Sequence, residues 1–332
     1  MRAIQITKPG VLALVDLPDP VPDKGEIVVE VGACGICGTD LHIFDGEFPP
    51  TPYPIVPGHE AAGTIAGVGE DVVGFAEGDR VAIDPSLFCG TCDYCRNQRG
   101  NLCDRWGAIG DTVDGAFAER VRVPAASAYR MPEGMSFAAG ALVEPVSCAV
   151  HALDRLALEL GASVLIYGAG TMGLILAQLI RHAGAGQVFL VDTKRGRLDQ
   201  AADLGFSSLG SCIEELDDRP RSGFDRVIDA TGVASVVQDA VGVVRKGGTL
   251  MVFGVAPAGD TATFEPFRIY NQEITIVGSM AVLASYGRAI DLVAGGAVAA
   301  EKMVTRTAGL DEFSEALELV RQGVGLKTQI VP

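Results

Sequence analysis

The chain has 332 residues, 48% of them hydrophobic and 20% charged, and a formal net charge of −16. That length suits two ordinary domains, and the composition is that of a globular protein, which excludes an intrinsically disordered chain. The acidic excess argues against a nucleic acid or an anionic membrane surface as partner.

The first residues, MRAIQITKPG, alternate like a strand and carry no apolar signal-peptide core, so the cytoplasm is the expected compartment. Residues 1–145 are rich in Val, Gly and Pro and lack long helical periodicity. EIVVEVGACGICG, EAAGTIAGVGEDV and FAEGDRVAI alternate as strands of a compact β-domain, separated by Pro-rich loops such as PPTPYPIVPG.

Eight cysteines lie at 34, 37, 89, 92, 95, 103, 148 and 212. In a large chain without an export signal, metal or catalytic use is a better expectation for them than disulfides. Cys37 stands in CGTDLH, and His59 and Glu60 stand in PGHE. A thiolate, an imidazole and a carboxylate together make a zinc site with room for an outside ligand. Cys34 with Cys37 also has the spacing of a redox pair, but no thioredoxin-like βαβ pattern surrounds it; Cys34 reads most simply as core. Cys148 and Cys212 read as ordinary thiols.

Cys89, Cys92, Cys95 and Cys103 follow as Cys-x2-Cys-x2-Cys-x7-Cys in a polar loop, CGTCDYCRNQRGNLC. Four thiolates so close fit a closed tetrahedral zinc site that would fold the loop. An iron–sulfur cluster is the rival, disfavoured because no proline follows the last cysteine and no second set exists.

From about residue 146, strand and helix signals alternate, which argues for a parallel sheet covered by helices. SVLIY leads into Gly168, Gly170 and Gly173 at Gly-x-Gly-x-x-Gly spacing, with Thr171 and Met172 between the last two; a helix, a second buried strand and Asp192 follow. The glycines allow a tight bend, the approach of a pyrophosphate and close packing of helix on strand. The amides at the helix start would bind the diphosphate and Asp192 the ribose hydroxyls. Residues 162–180 are uncharged over the length of a membrane span, but glycines at the centre and flanking strand signals count against one. FDRVIDATG, TLMVFG and EITIVGS continue the strands. Helices at YGRAIDLVAGG and LDEFSEALELVRQ and a final strand, KTQIVP, are too few for a domain and are expected to return to the first.

GHE, CGTDLH, the four-cysteine lobe, GDRV at 78–81, VEP at 143–145 and GAGTMG at 168–173 together resemble the zinc-dependent medium-chain dehydrogenases, and within them the sorbitol and arabinitol branch of the polyol dehydrogenases. The resemblance implies an α/β protein: a GroES-like β-rich catalytic domain over residues 1–146, an inserted doubly wound Rossmann domain over 147–282, and a return over 283–332. It implies Cys37, His59 and Glu60 as ligands of a catalytic zinc, with Glu144 a further one, direct or through water. Asp40 would orient His59, and Thr39 with His42 would form a proton relay. Two zinc ions per chain, NAD, and a tetramer or dimer are the implied cofactors and assembly. Zinc as Lewis acid and nicotinamide as hydride acceptor would then oxidise an alcohol.

Asp192 favours NAD over NADP because it would repel a 2′-phosphate, although Lys194 and Arg195 follow it directly. Arg197 matches an arginine that the sorbitol enzymes carry near the adenosine ribose. Ile43 replaces their aromatic, and SMAVLAS after Gly278 lacks their arginine. Those departures count against sorbitol itself; an arabinitol-like or other polyol is the first expectation, and threonine or another secondary alcohol the alternative. Phe44, Glu47 and Phe48 read as pocket lining or surface loop. A non-catalytic nucleotide-binding protein is the remaining alternative, against which the full set of ligands counts.

Overall fold

A computed structural model describes residues 1–48 and 51–332; Pro49 and Pro50 of the proline-rich loop lie outside the described residues. The chain forms two units, one of Met1–Ser147 with Val282–Pro332, the other of Cys148–Ala281.

The first unit is built on a sheet ordered Val304–Ala308, Lys327–Ile330, Glu26–Gly35, Glu60–Val68, Arg80–Ile83 and Ala128–Arg130, with Arg120–Pro124 also paired to Glu26–Gly35. Every pairing is antiparallel except that of Val304–Ala308 with Lys327–Ile330. Period-two alternation puts Ile27, Val29 and Val31 into the core with Ile65, Val81 and Phe117. The C-terminal residues join that same core: Phe313 of the Phe313–Gln322 helix meets Phe117 with ring centroids 4.7 Å apart. Fully burying one such ring is worth roughly 1.5–3 kcal/mol. This packing places Lys327–Ile330 beside the strand end at Cys34 and Gly35.

Two details differ from the alternation read in the sequence. The strand ends at Gly35, before Ile36, Cys37 and Gly38 of the EIVVEVGACGICG run, and Cys37 in extended conformation caps the helix Gly38–Asp45 instead. Asp40 drives that change: its Oδ2 accepts from the Cys37 amide at 2.7 Å, which satisfies a helix-start donor. The short edge strands Val304–Ala308 and Ser208–Gly210 had no clear sequence signal, since exposed or three-residue strands bury too little for one.

The second unit carries six parallel strands in the order Ser208–Gly210, Gln187–Val191, Ser163–Tyr167, Phe224–Asp229, Val244–Val252, Thr275–Gly278. Chain order runs outward from Ser163–Tyr167 in one direction and then the other, so this is the doubly wound sheet, with its switch point between Ser163–Tyr167 and Phe224–Asp229. The uncharged stretch at 162–180 divides into the strand Ser163–Tyr167 and the helix Thr171–His182. Among the described residues no helix is long and apolar enough to cross a membrane.

Candidate functional site

The helix Gly38–Asp45 and the strand Glu60–Val68 set the first constellation. Cys37 is the residue before the helix, and His59 and Glu60 sit at the strand start. One ligand atom from each of the three lies within 4.8 Å of the others. His59 and Glu60 are buried, and Cys37 is partly exposed.

His59 Nδ1 turns to two carboxylates, 3.2 Å from Asp111 Oδ1 and 3.7 Å from Asp40 Oδ1, which leaves Nε2 as the nitrogen able to bind a metal. Burial opposes a charge on the imidazole, but Asp111 and Asp40 outweigh it and hold the His59 pKa well above its ordinary value. Burial pushes the Asp40 carboxyl up to about 7.

Glu60 Oε1 accepts from Lys327 Nζ at 2.7 Å in a fully buried pair. Burial works against the lysine's charge, yet Glu60, Cys37 and Glu144 together raise its pKa. Glu60 Oε2, His59 Nδ1, Asp40 Oδ1 and Asp111 Oδ1 are buried without a hydrogen-bond partner. His59 Nδ1 and the two aspartate oxygens face one another, whereas Glu60 Oε2 is an orphan within the donor set of sulfur, nitrogen and oxygen, and such orphans are rare in folded proteins. That donor set fits zinc.

Glu144 lies buried in the first turn of Val143–Leu156 but is not one of the three residues whose ligand atoms come together. Thr39 Oγ1 is 3.9 Å from Cys37 Sγ. His42, one helical turn on, is partly exposed and shares Nδ1 with Glu47 Oε2 at 2.9 Å. Phe44 packs against the core beneath Arg321, and Phe48 lies edge-on to Trp106.

In the cysteine lobe, Sγ of Cys89 is 3.9 Å from that of Cys95, and Sγ of Cys92 is 3.8 Å from that of Cys103. Thiolates about 2.3 Å from one tetrahedral ion stand about 3.8 Å apart. A multi-iron cluster, with each cysteine on its own iron, needs wider spacing. The amides of Cys92, Cys95 and Cys89 donate to Sγ of Cys89, Cys92 and Cys103 at 3.4 Å, and Arg105 N donates to Cys103 at 3.3 Å. Amides at Thr91 and Cys92 pull the Cys89 thiol down to about 5, while burial and the neighbouring thiols push Cys95 up to about 12, so the four do not lose their protons alike unless a metal takes them.

In the second unit, Gly168 takes the bend with φ of +97°, and a Cβ on Gly173 would run into the Gly168 carbonyl oxygen. Gly170 differs. A Cβ there would meet only the Arg197 guanidinium at 3.6 Å, so chain packing does not require glycine, whereas an approaching diphosphate would. Thr171 and Met172 open the helix Thr171–His182 beside it. Asp192 Oδ2 accepts from Ala169 N at 2.8 Å and faces Arg197 Nη1 at 3.4 Å, while Oδ1 accepts from Lys194 N at 2.8 Å. The acid and Arg197 thus stand together at the glycine turn.

Residues 23–133 match the alcohol dehydrogenase GroES-like domain, and residues 171–295 match the zinc-binding dehydrogenase family. D-arabinitol dehydrogenase 1 of Uromyces fabae is 36% identical over 100% of this chain and 97% of its own. The chain belongs to the zinc-dependent medium-chain dehydrogenases. D-altritol 5-dehydrogenase of Agrobacterium fabrum is 34% identical over 94% of each chain. A zinc-binding dehydrogenase of Sinorhizobium meliloti, solved with NADP bound, has a TM-score of 0.95 at 35% identity, covering 100% of this chain and 99% of that one.

Within this dehydrogenase, Cys34 is fully buried and burial pushes its thiol well up, so it cannot serve as the attacking half of a redox pair. Two residues of the first constellation, Asp111 and Lys327, escaped the sequence reading. They lie far along the chain from the His59 and Glu60 they touch, and neither sits in a motif; the turn after Gly107–Ala108 brings in Asp111, and the antiparallel pairing of Lys327–Ile330 with Glu26–Gly35 brings in Lys327.

Proposed function

We propose that this dehydrogenase oxidises a secondary alcohol of an arabinitol-like polyol and passes the hydride to NAD, with one zinc ion at Cys37, His59 and Glu60 and a second in the cysteine lobe. The grouping of three unlike ligand atoms within 4.8 Å, with Glu60 Oε2 buried and unpartnered, carries the reading. Bound zinc supplies a Lewis acid for the substrate oxygen, and bound nicotinamide the hydride acceptor. Asp40 and Asp111 hold the imidazole for ligation. Thr39 takes the substrate's hydroxyl proton and hands it to His42, whose exposure beside Glu47 lets it leave to solvent. Glu144, close enough to act on Lys327, would join the centre through a water molecule.

The polyol names of the relatives support the substrate class, and the departures from sorbitol enzymes at Ile43 and after Gly278 count against sorbitol itself. Asp192 supports NAD. Its pairing with Arg197 favours a second reading, NADP, because a cation beside the acid offsets repulsion of a 2′-phosphate. A panel of polyols, threonine and simple alcohols, run with NAD and NADP and followed by absorbance of the reduced ring, tests both. Turnover of threonine alone would replace the polyol reading.

A further inference from the structure

Lys327 is the least expected member of the first constellation. It is 4% exposed, reaches in from the last strand, and spends two of its three donors on the Ile36 carbonyl at 3.1 Å and Glu60 Oε1 at 2.7 Å. Burying a lysine is costly, so its place needs a partner that must itself stay charged. Glu60 divides its two oxygens sharply: Oε1 is held by the ammonium and Oε2 has no hydrogen-bond partner. Gly35 helps to fix that division, because a Cβ there would collide with Glu60 Oε2. Lys327 is tethered at Ile36, one residue before Cys37, and so ties the backbone beside one ligand and the side chain of another to one cation.

We propose that Lys327 is a positioning residue that captures one oxygen of Glu60, so that the other alone is presented to the metal, and that offsets the charge gathered there by Cys37, Glu60 and Glu144. The proposal rests on reading Cys37, His59 and Glu60 as the metal centre. Without the lysine, both oxygens of Glu60 are free to swing onto the ion and change its coordination. Partners behind a metal ligand typically carry roughly 10- to 100-fold in metal affinity or activity.

Cobalt(II) placed in the Cys37 centre, with zinc kept in the cysteine lobe, reports coordination through its visible absorption. Lys327→Gln should lose d–d intensity as the ion gains a ligand, and should bind cobalt roughly 10- to 100-fold more weakly. Lys327→Arg, which restores the cation, should regain both. Wild-type spectrum and affinity in Lys327→Gln, or an equal loss in Lys327→Arg, would overturn the proposal. If Lys327→Gln does not fold, the comparison moves to a Glu60→Gln background, where no buried carboxylate is left unpaired. There Lys327→Met should cost well under the roughly 10- to 100-fold expected with Glu60 intact, since only the charge of Cys37 and Glu144 is left to offset; a loss of that full size would show that the lysine does not act through Glu60. Wild-type protein that takes up no cobalt at this centre removes the metal reading itself; uptake with indifferent variants removes only the role of Lys327.

Discussion

Asp111 Oδ1 stands 3.2 Å from His59 Nδ1, nearer than Asp40 Oδ1 at 3.7 Å. The two acids serve the same nitrogen but differ in other duties, since Asp40 also caps the helix start at Cys37. Asp111→Ala should therefore weaken zinc at this centre by roughly 10- to 100-fold with little effect on folding. Competition titration against a chromophoric chelator reads the affinity directly. Unchanged affinity would assign orientation of the imidazole to Asp40 alone.

The same pair sets a pH dependence. In the metal-free protein the His59 pKa is raised by Asp111 and Asp40, so the imidazole keeps its proton to a higher pH than a free histidine. Zinc needs the neutral ring, and its apparent affinity should rise with pH until that raised pKa is passed, with proton release on binding. Asp111→Ala removes one of the carboxylates and should shift the rise toward lower pH. Calorimetric titration in buffers of different ionisation enthalpy counts the protons.

Two glycines of the same turn should fail in different ways. Gly173→Ala drives a methyl into the Gly168 carbonyl and should cost about 1–3 kcal/mol of stability, visible as a lower melting temperature. Gly170→Ala finds room in the chain and should melt like the parent protein, yet bind dinucleotide at least about tenfold more weakly, a loss near 1.4 kcal/mol. Thermal melts and fluorescence titration with reduced cofactor separate the two.

The glycine turn and the cysteine lobe were legible in the sequence because each is a local device. Strand, bend and helix follow one another from Ser163 to His182, and four cysteines fall within residues 89–103. Cys37, His59 and Glu60 were legible through motifs of a few residues each. Asp111 and Lys327 were not, because their partnerships exist only after distant segments pack: Asp111 lies in a turn, and Lys327 is 267 residues from Glu60. The helix after Cys37 was hidden for another reason. An eight-residue helix started by one Asp40 contact leaves no periodicity to detect.

Asp192→Ala should lessen the preference for NAD over NADP, since the repulsion of a 2′-phosphate goes while Lys194, Arg195 and Arg197 stay. The ratio of kcat/KM values for the two cofactors measures it. An unaltered ratio would take Asp192 out of the selection.

Cysteine lobe and Cys37 centre should part company under mutation. Cys95→Ser should lower the bound metal from two ions per chain to one and open residues 89–103 to protease, because metal binding is what folds such a loop. Metal analysis and limited proteolysis together give the answer; a lobe that resists protease without its ion would not depend on metal to fold.

The central claim is that turnover depends on an ion held by Cys37, His59 and Glu60. The decisive measurement is NAD reduction by the preferred polyol after dialysis against a chelator and again after zinc is returned, in wild-type protein and in Cys37→Ala. Activity that vanishes with the metal, returns with zinc in wild type and never appears in Cys37→Ala is the expected result. Full turnover by Cys37→Ala with no metal at this centre would contradict it.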